Sequence, residues 1–86
     1  MDIRTTPYFD KNLSKKIRKN PQLKEKIKKQ IELLRENLRH SSLKLHKLTG
    51  KRAHEYSFWI ERNLRITFMI IDNEILFTDI ITHDEY

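Results

Sequence analysis

The chain has 86 residues, a net charge of +6 and no cysteine. These properties exclude disulfides, a thiolate nucleophile and a cysteine-based zinc site, and the length predicts one domain over residues 1–86. Hydrophobic residues make up 37% of the chain, which is too many for a disordered protein, and no apolar run approaches the roughly 18 residues that a membrane span needs. Since the N-terminus also lacks the pattern of a signal peptide, we expect a cytoplasmic protein that has no membrane partner.

Positive charge is concentrated in the first part of the chain. Residues 1–52 carry sixteen Lys/Arg against five Asp/Glu, a net +11, whereas residues 53–86 carry two against seven, a net −5. A basic surface of this kind attracts polyanions, which indicates a nucleic acid as partner. The alternative is an ordinary solvated helix surface, and charge alone does not separate RNA from DNA.

The first elements in chain order are a short strand and two basic helices. The residues before Pro7 favour an edge strand. Asp10 has the position of a helix N-cap, and Asn20 followed by Pro21 is predicted to end this helix and to begin the next. The second helix is the clearest element, because its apolar residues share one face of a 3.6-residue period. These residues are Leu23, Ile27, Ile31, Leu34 and Leu38.

The second half of the chain has the pattern of an antiparallel meander. Residues 40–52 are polar and are predicted to form a loop, in which Gly50, the single glycine, is expected at positive φ. Polar turn residues then separate three apolar, β-branched runs. These predicted strands cover residues 53–61, Leu64–Ile71 and Glu74–Thr82. The order β-α-α-β-β-β predicts an α+β fold, with a helical hairpin packed on a small antiparallel sheet.

Arg65 interrupts an otherwise apolar strand. Alternation turns Leu64 and Ile66 toward the helices, so that Arg65 faces the other way. A guanidinium in this place either pairs with a carboxylate as an ordinary surface residue or binds phosphate oxygens through two parallel hydrogen bonds.

Three of the four histidines are candidates for chemistry. His83 follows the last strand, His46 lies in the loop before Gly50, and His54 begins the next strand. Imidazole titrates near neutral pH without special help, so that these residues could act as general acid or base. A single histidine in each of these positions is more often a structural or solvent-exposed residue than a catalytic one.

Strand pairing decides whether Arg65 and His83 share a face of the sheet. A strict two-residue turn at Asp72 and Asn73 would place Arg65 opposite Ile80 and turn His83 to the other face. A longer turn, a β-bulge in the last strand, or a chain that leaves the sheet before His83 would restore the match. The sequence leaves these alternatives open.

Several other residues could contact RNA. Trp59 is expected in the core or at a partner surface, with stacking on nucleic-acid bases as the alternative. The candidates for RNA binding or support are His54, Arg62, Tyr86, Lys47 and Lys51.

The sequence resembles the RelE/ParE superfamily of type II toxin–antitoxin toxins, most of all the YafQ-like and YoeB-like mRNA interferases. The resemblance covers nearly the whole chain and includes the lysine-rich helical hairpin. Its short segments are residues 45–50 (LHKLTG), 56–57 (YS), 64–66 (LRI) and 82–86 (THDEY). It implies a microbial RNase fold, ribosome-dependent cleavage of mRNA, and neutralisation by a cognate antitoxin.

The resemblance also implies roles for individual residues. His46 matches the histidine of the YafQ-like motif before the glycine. Arg65 matches the arginine of the family's third strand, and His83 matches the histidine after the last strand. We therefore expect His83 as general acid, His46 as base or substrate orienter, and Arg65 as a phosphate clamp. Cleavage would proceed through the RNA 2′-hydroxyl, without a cofactor or metal, while the lysine-rich helices contact rRNA.

Three other functions fit the same sequence. A ParE-like gyrase inhibitor would bind a protein and would need no acid–base residues. A non-catalytic nucleic-acid-binding module would use the lysine face alone, and a degenerate toxin would bind only its antitoxin.

Overall fold

The computed structural model describes residues 1–82 and contains two helices and five strands. The strands are Ile3–Thr5 (β1), His46–Lys47 (β2), Tyr56–Glu61 (β3), Leu64–Ile71 (β4) and Glu74–Thr82 (β5), and the helices are Pro7–Lys19 (α1) and Leu23–Glu36 (α2). The strands form one sheet in the order β1-β5-β4-β3-β2, parallel between β1 and β5 and antiparallel elsewhere. Both helices cover one face of the sheet, called the inner face below, and the opposite face is called the outer face. The predicted α+β hairpin-on-sheet architecture is confirmed.

The first helix begins earlier than the sequence indicated. Thr6, not Asp10, is its N-cap, because the Thr6 hydroxyl accepts a hydrogen bond from the Phe9 backbone N–H at 3.1 Å. Pro7 follows at the first helical position, where the absence of an N–H removes no helix bond. Asp10 lies in the first turn instead, where a carboxylate is favoured by the helix dipole.

The second helix begins later than predicted. Asn20 is the C-cap of α1, with its backbone N–H bonded to the Lys16 carbonyl at 3.0 Å, and Pro21 lies in a turn before α2. The apolar stripe of α2 is confirmed for Leu23, Ile27 and Leu34, which are buried, and for Ile31, which is half-buried. Leu38 also packs against the core but lies beyond the end of the helix at Glu36.

The core lies between the helices and the inner face. Its centre is a group of phenylalanines from both layers, whose ring centroids are 5.2 to 5.9 Å apart. These are Phe9 of α1, Phe58 of β3, Phe68 of β4 and Phe77 of β5, and each is at most 1% exposed. Burial of this apolar surface supplies most of the stabilisation that holds the two layers together.

The segment 40–52 is more regular than a loop. It contains β2 and two single-turn 3-10 helices, Ser41–Leu43 and Gly50–Arg52. Gly50 has φ of 68°, as expected. A strand of two residues is too short to leave a periodic signal, which is why the sequence did not reveal β2.

A β-bulge sets the register of the last strand. The hairpin turn at Asp72 and Asn73 has two residues at positive φ, 50° and 65°, as a tight type I′ turn requires. Farther along, Phe68 pairs with Phe77 but Thr67 pairs with Asp79, so that Thr78 is the extra residue.

The bulge decides which residue faces Arg65. Arg65 pairs with Ile81 on the outer face, while Ile80 pairs with Ile66 in the core. Of the alternatives that the sequence left open, the structure therefore contains the bulge. His83 itself lies outside the described residues.

Candidate active site

Arg65 occupies the middle of the outer face. Its Nη1 donates hydrogen bonds to the Ser57 hydroxyl and to the Lys44 carbonyl oxygen, both at 3.2 Å. Within residues 1–82 its Nε and Nη2 make no hydrogen bond, and no carboxylate forms an ion pair with it. The guanidinium is thus anchored by neutral groups at one end, and its other nitrogens remain available for an anion.

Ser57 lies between His46 and Arg65 on the outer face. The short strand β2 pairs His46 directly with Ser57, so that their side chains share the outer face. Ser57 is fully buried and its hydroxyl accepts from Arg65, whereas His46 is exposed. His46 and Arg65 therefore lie on the same surface on either side of Ser57. His46 is directly opposite Ser57, a pairing for which a Cβ separation of about 5 Å is expected, and Arg65 is diagonal to Ser57 and reaches it by a hydrogen bond.

Two of the predicted supporting residues lie away from Arg65. The Lys47 Nζ is 5.9 Å from the centre of the Tyr56 ring, on the inner side of the sheet. His54 does not begin the strand as predicted, because β3 starts at Tyr56; it is exposed in the turn before β3 and lines a shallow depression with Lys47 and Tyr56. The structure thus does not bring Lys47 and His54 together with Arg65 and His46.

The remaining predicted residues are peripheral or outside the described part of the chain. Lys51 is exposed in the second 3-10 helix. Arg62 is exposed in the β3–β4 turn, with φ of 50°. His83 and Tyr86 both fall outside the described residues.

A second guanidinium lies near Arg65, and sequence reasoning did not identify it. Arg52 donates from Nε and Nη2 to the two carboxylate oxygens of Glu55 at 2.8 and 3.1 Å, and its Nη2 also reaches the Thr67 hydroxyl at 3.1 Å. The hydroxyl of Thr78, the bulge residue, donates to Glu55 and lies 2.8 Å from the Thr67 hydroxyl. Thr67 is fully buried and pairs with Ser57, so that this polar network borders the Arg65 site.

The network changes the titration of its carboxylate. The hydrogen bond from Arg52 is the main reason that the pKa of Glu55 lies below its ordinary value, and it outweighs the burial that acts in the opposite direction. Glu55 therefore remains ionised and compensates the charge of Arg52. The two guanidinium groups of this face consequently differ, because only Arg65 lacks a carboxylate partner among residues 1–82.

The signals for this network were weak in the sequence. Arg52 and Glu55 have the spacing of an ordinary surface ion pair, which by itself indicates little. Thr78 reaches Glu55 because of the bulge, and a bulge caused by one extra residue cannot be located from residue types alone.

Trp59 lies on the outer face, directly opposite Arg65 in the β3–β4 pairing. Its indole N–H donates to the Arg62 carbonyl at 2.8 Å. The ammonium groups of Lys44 and Lys26 lie 4.4 and 5.4 Å from the ring centre. Trp59 is half-buried and is therefore a surface residue that contacts two cations, not a member of the core.

In residues 1–82 no group of three or more His, Asp or Glu side chains is placed to hold a metal ion. Neither α1 nor α2 has the length and apolarity required to cross a bilayer.

The fold matches that of bacterial toxins. YafQ from E. coli strain BL21(DE3) has a TM-score of 0.80 at 21% sequence identity, over 98% of this chain and 94% of YafQ. A YoeB/ParE toxin from Agrobacterium tumefaciens also has a TM-score of 0.80, at 18% identity, over 96% of this chain and 99% of the toxin. A chain of the E. coli DinJ-YafQ toxin-antitoxin complex has a TM-score of 0.77 at 22% identity, over 98% and 93% of the two chains.

The sequence itself gives no such match. No protein-family model and no curated protein sequence matches this chain. The resemblance to YafQ-like and YoeB-like toxins that the sequence indicated is thus confirmed at the level of the fold.

Proposed function

We propose that this chain is the toxin of a type II toxin–antitoxin pair and acts as an endoribonuclease that cuts mRNA on the ribosome. The observation that carries the proposal is the placement of His46 and Arg65 on either side of Ser57, on the face of the sheet away from the helices, in a fold that matches those of toxins. RNA carries its own nucleophile, the 2′-hydroxyl. Metal-free cleavage therefore needs only groups that transfer protons, such as imidazole, and a group that binds the phosphate, such as guanidinium.

The proposed reaction is an intramolecular transesterification, in which the 2′-oxygen attacks the adjacent phosphorus. His46 accepts the 2′-hydroxyl proton or orients that hydroxyl, and the oxygen attacks phosphorus. The bond to the 5′-oxygen breaks, and His83 donates a proton to that leaving oxygen. The products are a 2′,3′-cyclic phosphate and a 5′-hydroxyl. Each positioned acid or base contributes about 10²–10⁴-fold to the rate.

Arg65 is proposed to bind the phosphate that reacts. The pentacoordinate transition state carries more negative charge on its oxygens than the ground state, and a fixed cation stabilises the difference. Because Arg65 is held by the Ser57 hydroxyl and the Lys44 carbonyl, little reorganisation is needed when that charge develops. No metal is required for this chemistry.

The proposed partners follow from charge and from the relatives. DinJ-YafQ is a toxin-antitoxin complex, which supports a cognate antitoxin for this chain. The exposed lysines of α1 and α2 suit contacts with the phosphates of rRNA, which would hold the chain on the ribosome. Such an activity belongs in the cytoplasm.

The proposal can be tested by inducible expression in bacteria followed by primer extension on cellular mRNAs. We expect the wild type to cut within codons, and His83→Ala and His46→Ala each to abolish the cuts. His54→Ala is the matched control, since it removes an imidazole that lies away from Arg65, and it should leave the cuts in place.

Two outcomes would contradict the nuclease. The first is wild-type growth arrest without new mRNA ends. The second is arrest that persists in His83→Ala and His46→Ala, which a ParE-like gyrase inhibitor would produce because it needs no acid–base residues. Co-purification of each variant with the antitoxin would verify that it is folded.

A further inference from the structure

The single tryptophan of the chain lies where the basic helices approach the candidate active site. β2 pairs only with residues 56–57 of β3, so that beyond Ser57 this edge of β3 has no strand partner among residues 1–82 and faces α2 instead. The backbone carbonyl of Trp59 accepts a hydrogen bond from the Gln30 side chain of α2 at 2.9 Å. Gln30 is 2% exposed, so that this contact fixes α2 against the strand.

Two lysines from different elements converge on the indole ring. Lys26, one helical turn before Gln30, places its Nζ 5.4 Å from the ring centre, and Lys44 places its Nζ 4.4 Å away. An ammonium over an indole is attracted by the negative face of the ring. Neither lysine forms an ion pair with a carboxylate of residues 1–82.

The loop that carries Lys44 is tied directly to the candidate phosphate clamp. Lys44 has φ of 47°, a left-handed conformation that is uncommon for lysine. Its backbone N–H bonds the Ser41 carbonyl at 3.2 Å, and its carbonyl accepts from Arg65. The same residue therefore orients Arg65 through its backbone and places a second cation over Trp59 through its side chain.

We propose that Trp59, Lys26 and Lys44 form a second RNA subsite, which binds the nucleotide next to the one whose phosphate lies on Arg65. The two ammonium groups bind the backbone phosphate, since a lysine that contacts a ring with one side keeps N–H donors for another acceptor. The indole packs against the base or ribose of the same nucleotide, as aromatic side chains do in single-strand binding sites. This inference rests on the proposed ribonuclease function.

The subsite would connect the active site with the basic hairpin. Trp59 is opposite Arg65 on the outer face, while Lys26 belongs to α2 in the other layer. A single strand that enters from the lysine-bearing helix would therefore contact these two lysines immediately before it reaches Arg65. A track of this kind needs no base-specific contact, because phosphates and ring faces are common to all nucleotides.

Trp59 emission is the direct test, because no other tryptophan contributes. The probe is a single-stranded 2′-O-methyl oligoribonucleotide of about ten nucleotides, which lacks the nucleophile and cannot be cut. Fluorescence anisotropy of a dye on the oligonucleotide measures binding independently. We expect saturable quenching of Trp59 emission with the same midpoint as the anisotropy change.

Paired charge variants identify the lysines that matter. The double variant Lys26→Gln/Lys44→Gln should weaken binding about tenfold and reduce the slope of log K against log salt by about 0.7, the value for one phosphate contact on a single strand. The control Lys24→Gln/Lys28→Gln removes the same charge from exposed positions of α2 that are proposed to contact rRNA and not this short oligonucleotide, and it should change affinity about twofold or less.

The subsite is refuted if the anisotropy shows no binding, if binding leaves Trp59 emission unchanged, or if the two double variants lose equal affinity. Its failure can be separated from failure of the nuclease. Quenching without any cleavage of mRNA would retain the subsite and remove the enzyme. Cleavage of mRNA without quenching would retain the enzyme and remove the subsite.

Discussion

The two arginines of the outer face differ in what compensates their charge. Arg52 is held by both oxygens of Glu55, whereas Arg65 is held by a hydroxyl and a backbone carbonyl. A guanidinium that is already paired has little net attraction for a phosphate, while one that is anchored by neutral acceptors retains its full charge. This difference supports Arg65 as the residue that contacts substrate and Arg52 as a structural residue beside it.

Replacement of Arg65 by lysine tests the clamp. Lysine keeps the charge but loses the planar fork that binds two phosphate oxygens, so that we expect Arg65→Lys to reduce the cleavage rate by about 10²–10³-fold. Single-turnover cleavage of a ribosome-bound mRNA measures the effect, and the melting temperature shows whether the variant is folded. A folded Arg65→Lys that cuts at the wild-type rate would exclude a bidentate clamp.

Glu55 provides a pH test of the neighbouring network. Because its pKa is lowered in the folded state, ionised Glu55 stabilises the fold above the unfolded-state pKa, and this stability disappears as the pH falls through the folded pKa. We expect Glu55→Gln to lower the free energy of unfolding at pH 7 by roughly 1–2 kcal/mol. The difference in unfolding free energy between the variant and the wild type should shrink progressively as the pH falls below 4.5, the ordinary pKa of a glutamate.

Denaturant titrations at several pH values measure that difference. Glu32→Gln on the exposed surface of α2 is the control and should be nearly neutral throughout. A difference for Glu55→Gln that stays constant down to pH 3 would mean that the network does not depend on the ionised carboxylate.

At the scale of single residues, the sequence predicted positions better than contacts. Arg65 was expected on the outer face, and alternation along β4 was sufficient to place it there. Its partners Ser57 and Lys44 could not be predicted, because they belong to a neighbouring strand and to a loop whose distances depend on tertiary packing. His83 stays a prediction, since it lies outside the described residues.

The β4–β5 hairpin is the element that aligns the outer face. Its turn residues Asp72 and Asn73 both have positive φ, where glycine is free of strain and asparagine is tolerated far better than alanine. We expect Asn73→Ala to destabilise the protein by about 1 kcal/mol, which corresponds to a decrease of roughly 4–8 °C in Tm for a domain of this size. Asn73→Gly should equal or exceed the wild type.

Thermal unfolding followed by circular dichroism compares the two variants. Equal melting temperatures for Asn73→Ala and Asn73→Gly would contradict the positive φ of the turn. Both variants remove the same side-chain amide, so that the difference between them reports the backbone conformation at this position.

Local and non-local elements differed in how well they could be predicted. The stripe of α2 and the alternation of β3 and β4 are local patterns, and they were recognised from the sequence. The parallel pairing of β1 with β5 joins residues more than 70 positions apart and leaves no periodic signal. The start of α1 was missed because Thr6 and Pro7 form a better cap and first turn than Asp10 does.

On the scale of the whole molecule, the helical layer and the sheet have different proposed roles. The helical layer carries most of the positive charge, and the outer face of the sheet carries the candidate acid–base and phosphate-binding groups. They meet at the β3 edge beside Trp59, where Gln30 and Lys26 of α2 contact the strand residue. A polyanion attracted by the helices would thus be guided to Arg65 without any large movement of the fold.

The central claim is that RNA is cut through its own 2′-hydroxyl, and one substituted message tests it. A ribosome-bound mRNA is prepared with a single 2′-deoxynucleotide at the cleavage position, and its products are compared with those of the unmodified message. We expect the unmodified message to yield a 2′,3′-cyclic phosphate and the single deoxy substitution to abolish cleavage at that position. Continued cleavage at the deoxynucleotide would contradict the claim.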